Sequence, residues 1–396
     1  MLLMLALQYL AAAMLLLAAA VGLYCLGLAV VGLCARSHAT PATQRRQRFA
    51  ILIPAHNEED QIETALRCCA DLDYPRNRVQ VFVIADNCTD RTAALARAGG
   101  ATCLERHDLS QRGKGPALAW ALKQVLPTRP EAVLILDADC RLDRHALRVF
   151  NARLAAGEQV LQASYVASNP DGSIASYVAA VANAIENDLF YAPKAVLGLS
   201  VLLRGTGMAF RREVLERFPW QAASVVEDVE YTVRLYQGGV RVAFVPEVRV
   251  WSAFPEQDRQ MQVQRTRWVG GNIRLGVQQA WPLLRQAVAA GRPLLVELAW
   301  TLLVSVRSLA VAQMLLAVLL GAVAAVLMPG LGFGALAGLL LVLYAVYFGL
   351  GVTRLGLNVQ RMALLLRAPW MVFRMLWIGS ASLFPGRTAS WERTPR

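Results

Sequence analysis

Residues 133–140 read Val-Leu-Ile-Leu-Asp-Ala-Asp-Cys, and this stretch decides the fold. Its four leading apolar residues do not alternate with polar ones, which predicts a β-strand buried on both faces. Asp137 and Asp139 follow, and because strand side chains alternate between faces, the two carboxylates point the same way. At the carboxyl end of a strand in an open α/β sheet, that direction faces the ligand crevice. Two carboxylates there suit Mg²⁺ or Mn²⁺ bound with a diphosphate; two solvated turn aspartates are the alternative.

Apolar strands and helices alternate upstream of this stretch. Residues 49–54 and 79–85 predict two more buried strands, each followed by a segment with helical spacing. That alternation predicts an α/β domain with parallel strands and right-handed crossovers. The polar residues that follow the three strands would then gather at one edge of the sheet: His56, Asn57, Glu58, Asp86, Asp137 and Asp139. Their shared position favours a ligand site over ordinary loop composition.

Two glycine-containing segments are candidates for contact with the ligand. Residues 112–116, Arg-Gly-Lys-Gly-Pro, open a predicted helix, where backbone amides and Lys114 suit a phosphate. A surface turn is the alternative for this segment. Gly205 and Gly207 flank Thr206 and allow the backbone to approach a ligand closely, unless they form an ordinary tight turn.

Two helical segments carry further candidate side chains. Glu227 and Asp228 stand near the start of a predicted helix, where the helix dipole stabilises carboxylates. Gln264, Arg267 and Trp268 share one helix face by their spacing. Arginine can bind a phosphate through two hydrogen bonds, and tryptophan can stack on a sugar ring. The alternatives are simple helix-start chemistry for the first segment and an amphipathic helix on a membrane surface for the second.

Long apolar runs predict membrane-spanning helices in this chain of 396 residues, which is 56% hydrophobic. Residues 1–34 contain no charged side chain, residues 294–327 contain two, and residues 331–352 contain none. Each run is long enough for the roughly 20 residues that a membrane helix needs, and the last two predict a hairpin. Residues 368–384 are apolar but short, which predicts an interfacial or re-entrant segment.

Positive charges cluster beside the apolar runs and predict the orientation of the chain. Arginines follow the first run at 36, 45, 46 and 48, and the last run at 354, 361 and 367. By the positive-inside rule, these arginines are cytoplasmic and the N-terminus is outside. The net charge of +12 therefore predicts anionic lipid headgroups, and no nucleic acid, as partners. Arg307 lies midway along its apolar run, and the cost of a charge there predicts that it faces protein or water.

The chain resembles the membrane-integrated glycosyltransferases of family 2, which include cellulose, chitin, hyaluronan and poly-N-acetylglucosamine synthases. The resemblance spans about residues 50–270 and rests on these motifs in order: Pro54-Ala55-His56-Asn57-Glu58, Asp86, Asp137-x-Asp139, Glu227-Asp228 and Gln264-x-x-Arg267-Trp268. It implies a GT-A type nucleotide-sugar-binding domain, with a Rossmann-like mixed α/β sheet, on the cytoplasmic side of α-helical transmembrane segments.

The resemblance also implies roles for the candidate residues. It implies that a UDP-sugar is bound by Pro54, Ala55, His56, Asn57, Glu58, Asp86, Asp137, Gln264 and Arg267, with Mg²⁺ or Mn²⁺ held by Asp137 and Asp139. Lys114, from its place in the segment 112–116, is expected to bind the same UDP-sugar at its diphosphate. Asp228 is then the general base, with Glu227 beside it. The acceptor is expected to contact Gly205, Thr206, Gly207 and Trp268.

The expected function is inverting transfer of a sugar to a growing β-linked poly- or oligosaccharide. Transfer to a membrane lipid is the alternative. A non-catalytic membrane scaffold is the third reading, and Asp137, Asp139 and Asp228 argue against it because a scaffold has no use for them. Val226 stands where the cellulose-type enzymes have threonine, so the product stays open. The number of membrane helices is below that of the large synthases, which implies a partner subunit or a homo-oligomer.

The same observations predict the domain organisation of a multi-pass protein of the bacterial inner membrane. The expected segments are a transmembrane helix at 1–35, a cytoplasmic glycosyltransferase domain at 36–255, interfacial helices at 256–293, a transmembrane hairpin at 294–353, and a cytoplasmic, interfacial or re-entrant segment at 354–396.

Overall fold

The computed structural model describes residues 2–34, 43–221, 224–256 and 258–381. Within the last range, the side chains of residues 258–265, 267, 368, 369, 372, 373 and 375–381 are not described. Arg36 and the side chains of Gln264 and Arg267, which the sequence analysis singles out, therefore lie outside the described part of the protein.

Eight strands form one mixed sheet. They are β1 (Phe49–Ala55), β2 (Val79–Asp86), β3 (Thr102–Arg106), β4 (Ala132–Ile135), β5 (Arg141–Leu142), β6 (Val160–Ala167), β7 (Met208–Arg211) and β8 (Val242–Ser252). Their order across the sheet is β3-β2-β1-β4-β7-β6-β8-β5. Strands β3, β2, β1 and β4 are parallel, whereas β7 runs antiparallel to both β4 and β6. The predicted mixed α/β sheet is confirmed.

Fourteen α-helices lie within the described residues. They are α1 (Leu2–Cys34), α2 (Ile62–Ala70), α3 (Thr92–Ala98), α4 (Lys114–Val125), α5 (Ala146–Ala155), α6 (Ile174–Ala184), α7 (Ala192–Leu197), α8 (Arg212–Arg217), α9 (Glu227–Gln237), α10 (Asp258–Ala290), α11 (Pro293–Val304), α12 (Arg307–Leu327), α13 (Phe333–Leu355) and α14 (Val359–Ala381). A π-helical turn, Ile185–Tyr191, joins α6 to α7, and such turns are frequent at functional sites.

The sheet is buried on both faces because its strands send alternate apolar side chains into two cores. Leu134 packs with α2 and α5 on one face, while Val133 and Ile135 pack with α4 on the other. All four residues of β4 are buried, as the unbroken apolar run predicts. Helix α1 also contributes to the second core through Val21 and residues after it, so the N-terminal helix is packed against the α/β domain.

Three helices are long and apolar enough to cross a membrane: Leu2–Cys34, Arg307–Leu327 and Phe333–Leu355. They pack together through small side chains, and Ala18, Ala317 and Ala324 in the contact are fully buried. Small residues allow close approach of helix backbones, which is how membrane helices gain packing energy.

The structure corrects the expectation that residues 294–327 form one helix. Helix α11 ends at Val304, and α12 begins at Arg307, so Arg307 is the first residue of a candidate span and does not lie midway along one. Glu297 does not pair with Arg307, since its carboxylate bonds the buried Lys194 ammonium at 2.9 Å. A separate ion pair between Arg361 and Asp171 (2.7 Å) attaches α14 to the α/β domain.

Candidate active site

The strands bring the polar residues that follow them to one edge of the sheet. Asp137 follows β4, and its carboxylate bonds the Lys114 ammonium at the first turn of α4. Lys114 also donates to the Gly205 carbonyl at 2.7 Å. A Cβ added at Gly205 would lie 3.4 Å from an Asp228 oxygen, which places the Glu227–Asp228 pair against the same loop. Residues far apart in sequence therefore converge around one lysine.

The loop after β1 and the end of β2 form the second part of this edge. The His56 ring nitrogen Nδ1 lies 2.7 Å from the Asp86 carbonyl, and the Asn57 carboxamide accepts from the Thr89 amide at 2.7 Å. The Glu58 amide donates to the Thr92 hydroxyl at 2.7 Å. These bonds fix the backbone of residues 54–58, in which Asn57 adopts a positive φ of 56°.

Asp86 is buried and its carboxylate is held by an arginine. The Arg106 guanidinium donates to Asp86 Oδ1 at 2.6 Å and to the Asp108 carboxylate at 2.9 Å. Both side chains of the Asp86–Arg106 pair are less than a tenth exposed. Since Arg106 engages Oδ1, the arrangement orients Asp86 at the carboxyl end of β2, where a ligand can approach.

The loop at residues 204–207 is held in place from both sides. Buried Gln162 accepts from the Arg204 amide at 2.8 Å and donates to the Thr206 carbonyl at 2.9 Å. Gly207 has a φ of +63°, and an added Cβ would lie 2.7 Å from the Val250 side chain. Glycine is therefore required here for both its backbone conformation and its lack of a side chain.

Glu227 and Asp228 form a half-buried carboxylate pair in the first turn of α9. Burial, and then the Asp228 charge, raise the pKa of Glu227 to about 7. Burial also raises the pKa of Asp228. The Val229 amide, which donates to the Asp228 carboxylate at 2.8 Å, and the Lys114 charge both lower this pKa, but burial outweighs them. A carboxylate whose basicity is raised by burial is a better proton acceptor.

Lys114 carries its charge within this cluster. Burial alone would lower the pKa of Lys114, but the neighbouring carboxylates of Asp137, Glu227 and Asp228 outweigh it, and the pKa lies above the ordinary lysine value. A positive charge at the start of a helix suits an anionic group bound at this edge.

The donor set after β4 fits a divalent cation. The ligand atoms of Asp137, Asp139 and Cys140 lie within 4.8 Å of one another. Two carboxylate oxygens are the hard ligands that Mg²⁺ and Mn²⁺ prefer. Burial raises the pKa of the Cys140 thiol well above its ordinary value, so this residue remains a neutral thiol and a poor ligand for such ions.

Trp268 is the one residue of the Gln264-x-x-Arg267-Trp268 pattern whose side chain belongs to the described part of the protein. Trp268 in α10 is 40% exposed and lines a cavity together with Arg204. The side chains of Gln264 and Arg267 lie outside the described residues, so their positions relative to the lysine cluster stay predictions.

Sequence reasoning missed two residues that shape the site, Arg106 and Gln162. Arg106 ends β3, and the parallel pairing of β2 with β3 places it directly beside Asp86. When two neighbouring strands end in an aspartate and an arginine, the sequence signals an ion pair such as Asp86–Arg106. Gln162 stands inside the apolar strand β6 and is fully buried, and a lone amide in a buried strand signals a polar partner.

The chain is similar to known glycosyltransferases over the residues that form this site. Residues 46–271 match the family model described as glycosyltransferase like family 2. The probable glycosyltransferase YdaM of Bacillus subtilis is 25% identical over 238 residues, which cover 57% of this chain and 55% of that protein. The beta-monoglucosyldiacylglycerol synthase of Nostoc sp. is 26% identical over 276 residues, covering 59% and 54%. The chain spans about half the length of these curated relatives.

A solved structure shares the fold over most of both chains. The mannosyltransferase PcManGT from Pyrobaculum calidifontis, in complex with GDP-Man and Mn²⁺, has a TM-score of 0.58 and is 21% identical. The likeness covers 90% of this chain and 99% of that one. With a GT-A type mixed sheet, three apolar helices of spanning length and a family match over more than half of its residues, the chain belongs to glycosyltransferase family 2.

Proposed function

We propose that the protein transfers a sugar from a UDP-sugar to an acceptor hydroxyl at the cytoplasmic face of a bacterial inner membrane, with inversion at the anomeric carbon. The observation that carries this proposal is the convergence of Asp137, Lys114, the Gly205 carbonyl and Asp228 at one edge of the sheet. That cluster combines charge for a leaving diphosphate with a base for the incoming hydroxyl. A non-catalytic scaffold would need neither.

The donor half of the site is assigned to the edge formed by β1, β2 and β4. Residues 54–58 and Asp86 would bind the nucleoside, with Arg106 orienting the Asp86 carboxylate. Asp137 and Asp139 would hold Mg²⁺ or Mn²⁺, which when bound supplies positive charge to the diphosphate. Lys114 supplies a further positive charge, and its ammonium donates to the Gly205 carbonyl. This charge stabilises the diphosphate as it leaves.

Asp228 is assigned as the general base. Its carboxylate lies against Gly205, and burial raises its pKa, which increases its affinity for the proton of the acceptor hydroxyl. Direct attack by that hydroxyl displaces the diphosphate from the opposite side, so an α-linked donor gives a β-linked product. Glu227 lies in the same turn and adjusts the electrostatic potential at Asp228.

A membrane lipid is the acceptor class that the arrangement of helices favours. Helices α1, α12 and α13 are packed against one another through buried small residues such as Ala18 and Ala317, so their shared interior is filled by side chains. The beta-monoglucosyldiacylglycerol synthase of Nostoc sp., one of the relatives, is named for a lipid product. Both observations favour a short acceptor held at the membrane surface over a polymer that passes between these helices.

Extension of a growing glycan is the second candidate. The Gln264-x-x-Arg267-Trp268 pattern supports it, because this pattern resembles that of chain-extending family members. Exposed Trp268 provides an aromatic surface on which a sugar ring could stack.

The proposal is tested by incubating the purified full chain, in vesicles, with a panel of labelled UDP- and GDP-sugars. The expected result is release of nucleoside diphosphate from one UDP-sugar and transfer of label to a lipid-extractable product. The control pair is Asp228→Asn, which should lose transfer, and Asp60→Asn, an exposed aspartate outside the cluster, which should retain it. Water-soluble polymeric product would support glycan extension instead, and no turnover with any donor would contradict the proposed function.

A further inference from the structure

The cavity that Trp268 and Arg204 line lies between the α/β domain and the start of the membrane helices. Its volume is about 220 Å³, and its lining includes Glu186, Arg204, Trp268, Asn272 and Arg307. The lining residues come from the π-helical turn, the 204–207 loop, α10 and the first residue of α12. The charged and amide side chains suit a polar ligand group, and the alanine, valine and phenylalanine side chains that also line the cavity suit an adjoining apolar part.

Arg307 has unused hydrogen-bonding capacity at this cavity. Its Nε and Nη2 atoms are buried and have no hydrogen-bond partner among the described residues. Its Nη1 contacts the Cys25 sulfur at 3.9 Å, and the guanidinium lies 4.3 Å from the centre of the Phe190 ring. Buried polar groups are almost always hydrogen-bonded, so two orphaned guanidinium nitrogens on a residue that lines a cavity indicate a missing anionic ligand.

The charges around the cavity limit the charge of that ligand. Arg204 donates to the Glu186 carboxylate at 2.8 Å and to the Asn187 side chain at 2.6 Å, so this arginine is already neutralised. Arg307 therefore leaves the cavity with one net positive charge. A phosphodiester carries one negative charge and presents two oxygens to a guanidinium, whereas a phosphomonoester carries closer to two.

The cavity adjoins the catalytic cluster through a shared loop. Arg204 lines the cavity, and the next residue, Gly205, lies between Lys114 and Asp228. The charges of both Arg307 and Asp228 act on the buried Tyr191 hydroxyl, whose pKa burial raises well above its ordinary value. A ligand group in the cavity is thus held next to the loop that borders the proposed base.

The cavity also lies where a lipid headgroup would be found. Arg307 is the first residue of the candidate span Arg307–Leu327, and the start of a span lies at headgroup depth. The positive end of the α12 dipole adds to the arginine charge there. An anion at this position is therefore more readily supplied by a membrane lipid than by a soluble metabolite.

We propose that Arg307 and this cavity bind the phosphodiester of an acceptor phospholipid whose headgroup carries the hydroxyl that receives the sugar. This inference rests on the proposed lipid-directed transfer, and it narrows the acceptor from lipids in general to hydroxyl-bearing phospholipids. The phosphate would fix the lipid at Arg307, while its headgroup hydroxyl extends past the 204–207 loop towards Asp228.

The test compares acceptors in phosphatidylcholine vesicles that contain either phosphatidylglycerol or diacylglycerol, with the donor found active in the panel above. The wild-type protein should glycosylate phosphatidylglycerol with at least tenfold higher kcat/KM than diacylglycerol. Because hydrogen bonds to a charged group are lost, Arg307→Gln should raise the KM for phosphatidylglycerol about 10- to 100-fold. Arg307→Lys should recover part of this loss, since it restores the charge but not the paired hydrogen bonds.

Arg354→Gln is the matched control, because Arg354 is an exposed arginine in the last turn of α13. It should retain the wild-type KM. Glycerophosphoglycerol, the deacylated headgroup, should serve far less well than the lipid at equal concentration; equal use would overturn the assignment to a membrane lipid. Equal use of diacylglycerol by the wild type, or an unchanged KM in Arg307→Gln, would overturn the phosphate site. Release of nucleoside diphosphate by the wild type shows separately that the proposed function holds.

Discussion

Replacing Lys114 by methionine removes the one ammonium at the centre of the cluster while keeping a side chain of similar length. Lys114 contacts the Asp137 carboxylate and the Gly205 carbonyl, and its charge acts on Glu227 and Asp228. The substitution therefore removes a group that would stabilise the leaving diphosphate and also leaves three carboxylates without their shared counter-charge.

The expected effects differ in size for rate and for stability. Removing one preorganised electrostatic contact at a site of charge development typically lowers kcat by about 10²–10³. The side chains of Lys114 and Asp137 are 22% and 34% exposed, so solvent screens the lost ion pair. The free energy of unfolding should then fall by only about 1–2 kcal/mol, below the cost of breaking a fully buried pair.

The pH profile of kcat distinguishes an electrostatic role of Lys114 from a purely structural one, because only the electrostatic role would shift the profile. Loss of a nearby positive charge disfavours the ionised carboxylates, so the pKa of the Glu227–Asp228 pair rises further and the acidic limb of the kcat profile moves to higher pH. Lys123→Met in the same helix α4 is the matched control, because Lys123 is exposed. A Lys114→Met enzyme with kcat within threefold of wild type and an unmoved acidic limb would refute this reasoning.

Three further outcomes follow from the same structure. Between pH 4.5 and about 7, Glu227 keeps a proton in the folded state that the unfolded chain has released, so the Tm should fall as the pH rises through this window. Glu227→Gln should make this fall in Tm less steep, and an equally steep fall in the variant would contradict the assignment. Gly207→Ala should lower the free energy of unfolding by about 1–3 kcal/mol more than Gly239→Ala, because both glycines have positive φ but only the former would clash; equal Tm values would contradict it. EDTA should abolish release of nucleoside diphosphate, and Mn²⁺ or Mg²⁺ should restore it; full turnover in EDTA would exclude the metal assignment.

The parts of the fold that follow local rules could be predicted from the sequence. The unbroken apolar run before Asp137 predicted a strand buried on both faces, and the alternation of strands and helices predicted the α/β sheet, because both depend on side-chain period alone. The convergence of Asp137 and Asp86 on one edge followed from parallel strands, whose carboxyl ends meet there.

The parts that depend on contacts between distant segments could not be predicted in the same way. Gln162 reaches the 204–207 loop only because β6 pairs with β7, and no local pattern encodes that register. The end of α11 at Val304 lies within an apolar run and has no proline or glycine beside it, so hydropathy predicted one continuous helix. Lys194 supplied the partner for Glu297 from a helix about a hundred residues earlier, which sequence spacing does not reveal.

Asp228 is proposed to remove the proton of the acceptor hydroxyl, and Asp228→Asn tests this role most directly because the substitution keeps the shape of the side chain and removes its basicity. UDP affinity should be measured by calorimetry and transfer by single-turnover chemistry with the same protein. The UDP affinity of Asp228→Asn should stay within about threefold of wild type, and its transfer rate should fall by about 10²–10⁴. Near wild-type transfer by Asp228→Asn would contradict the account and assign the base elsewhere.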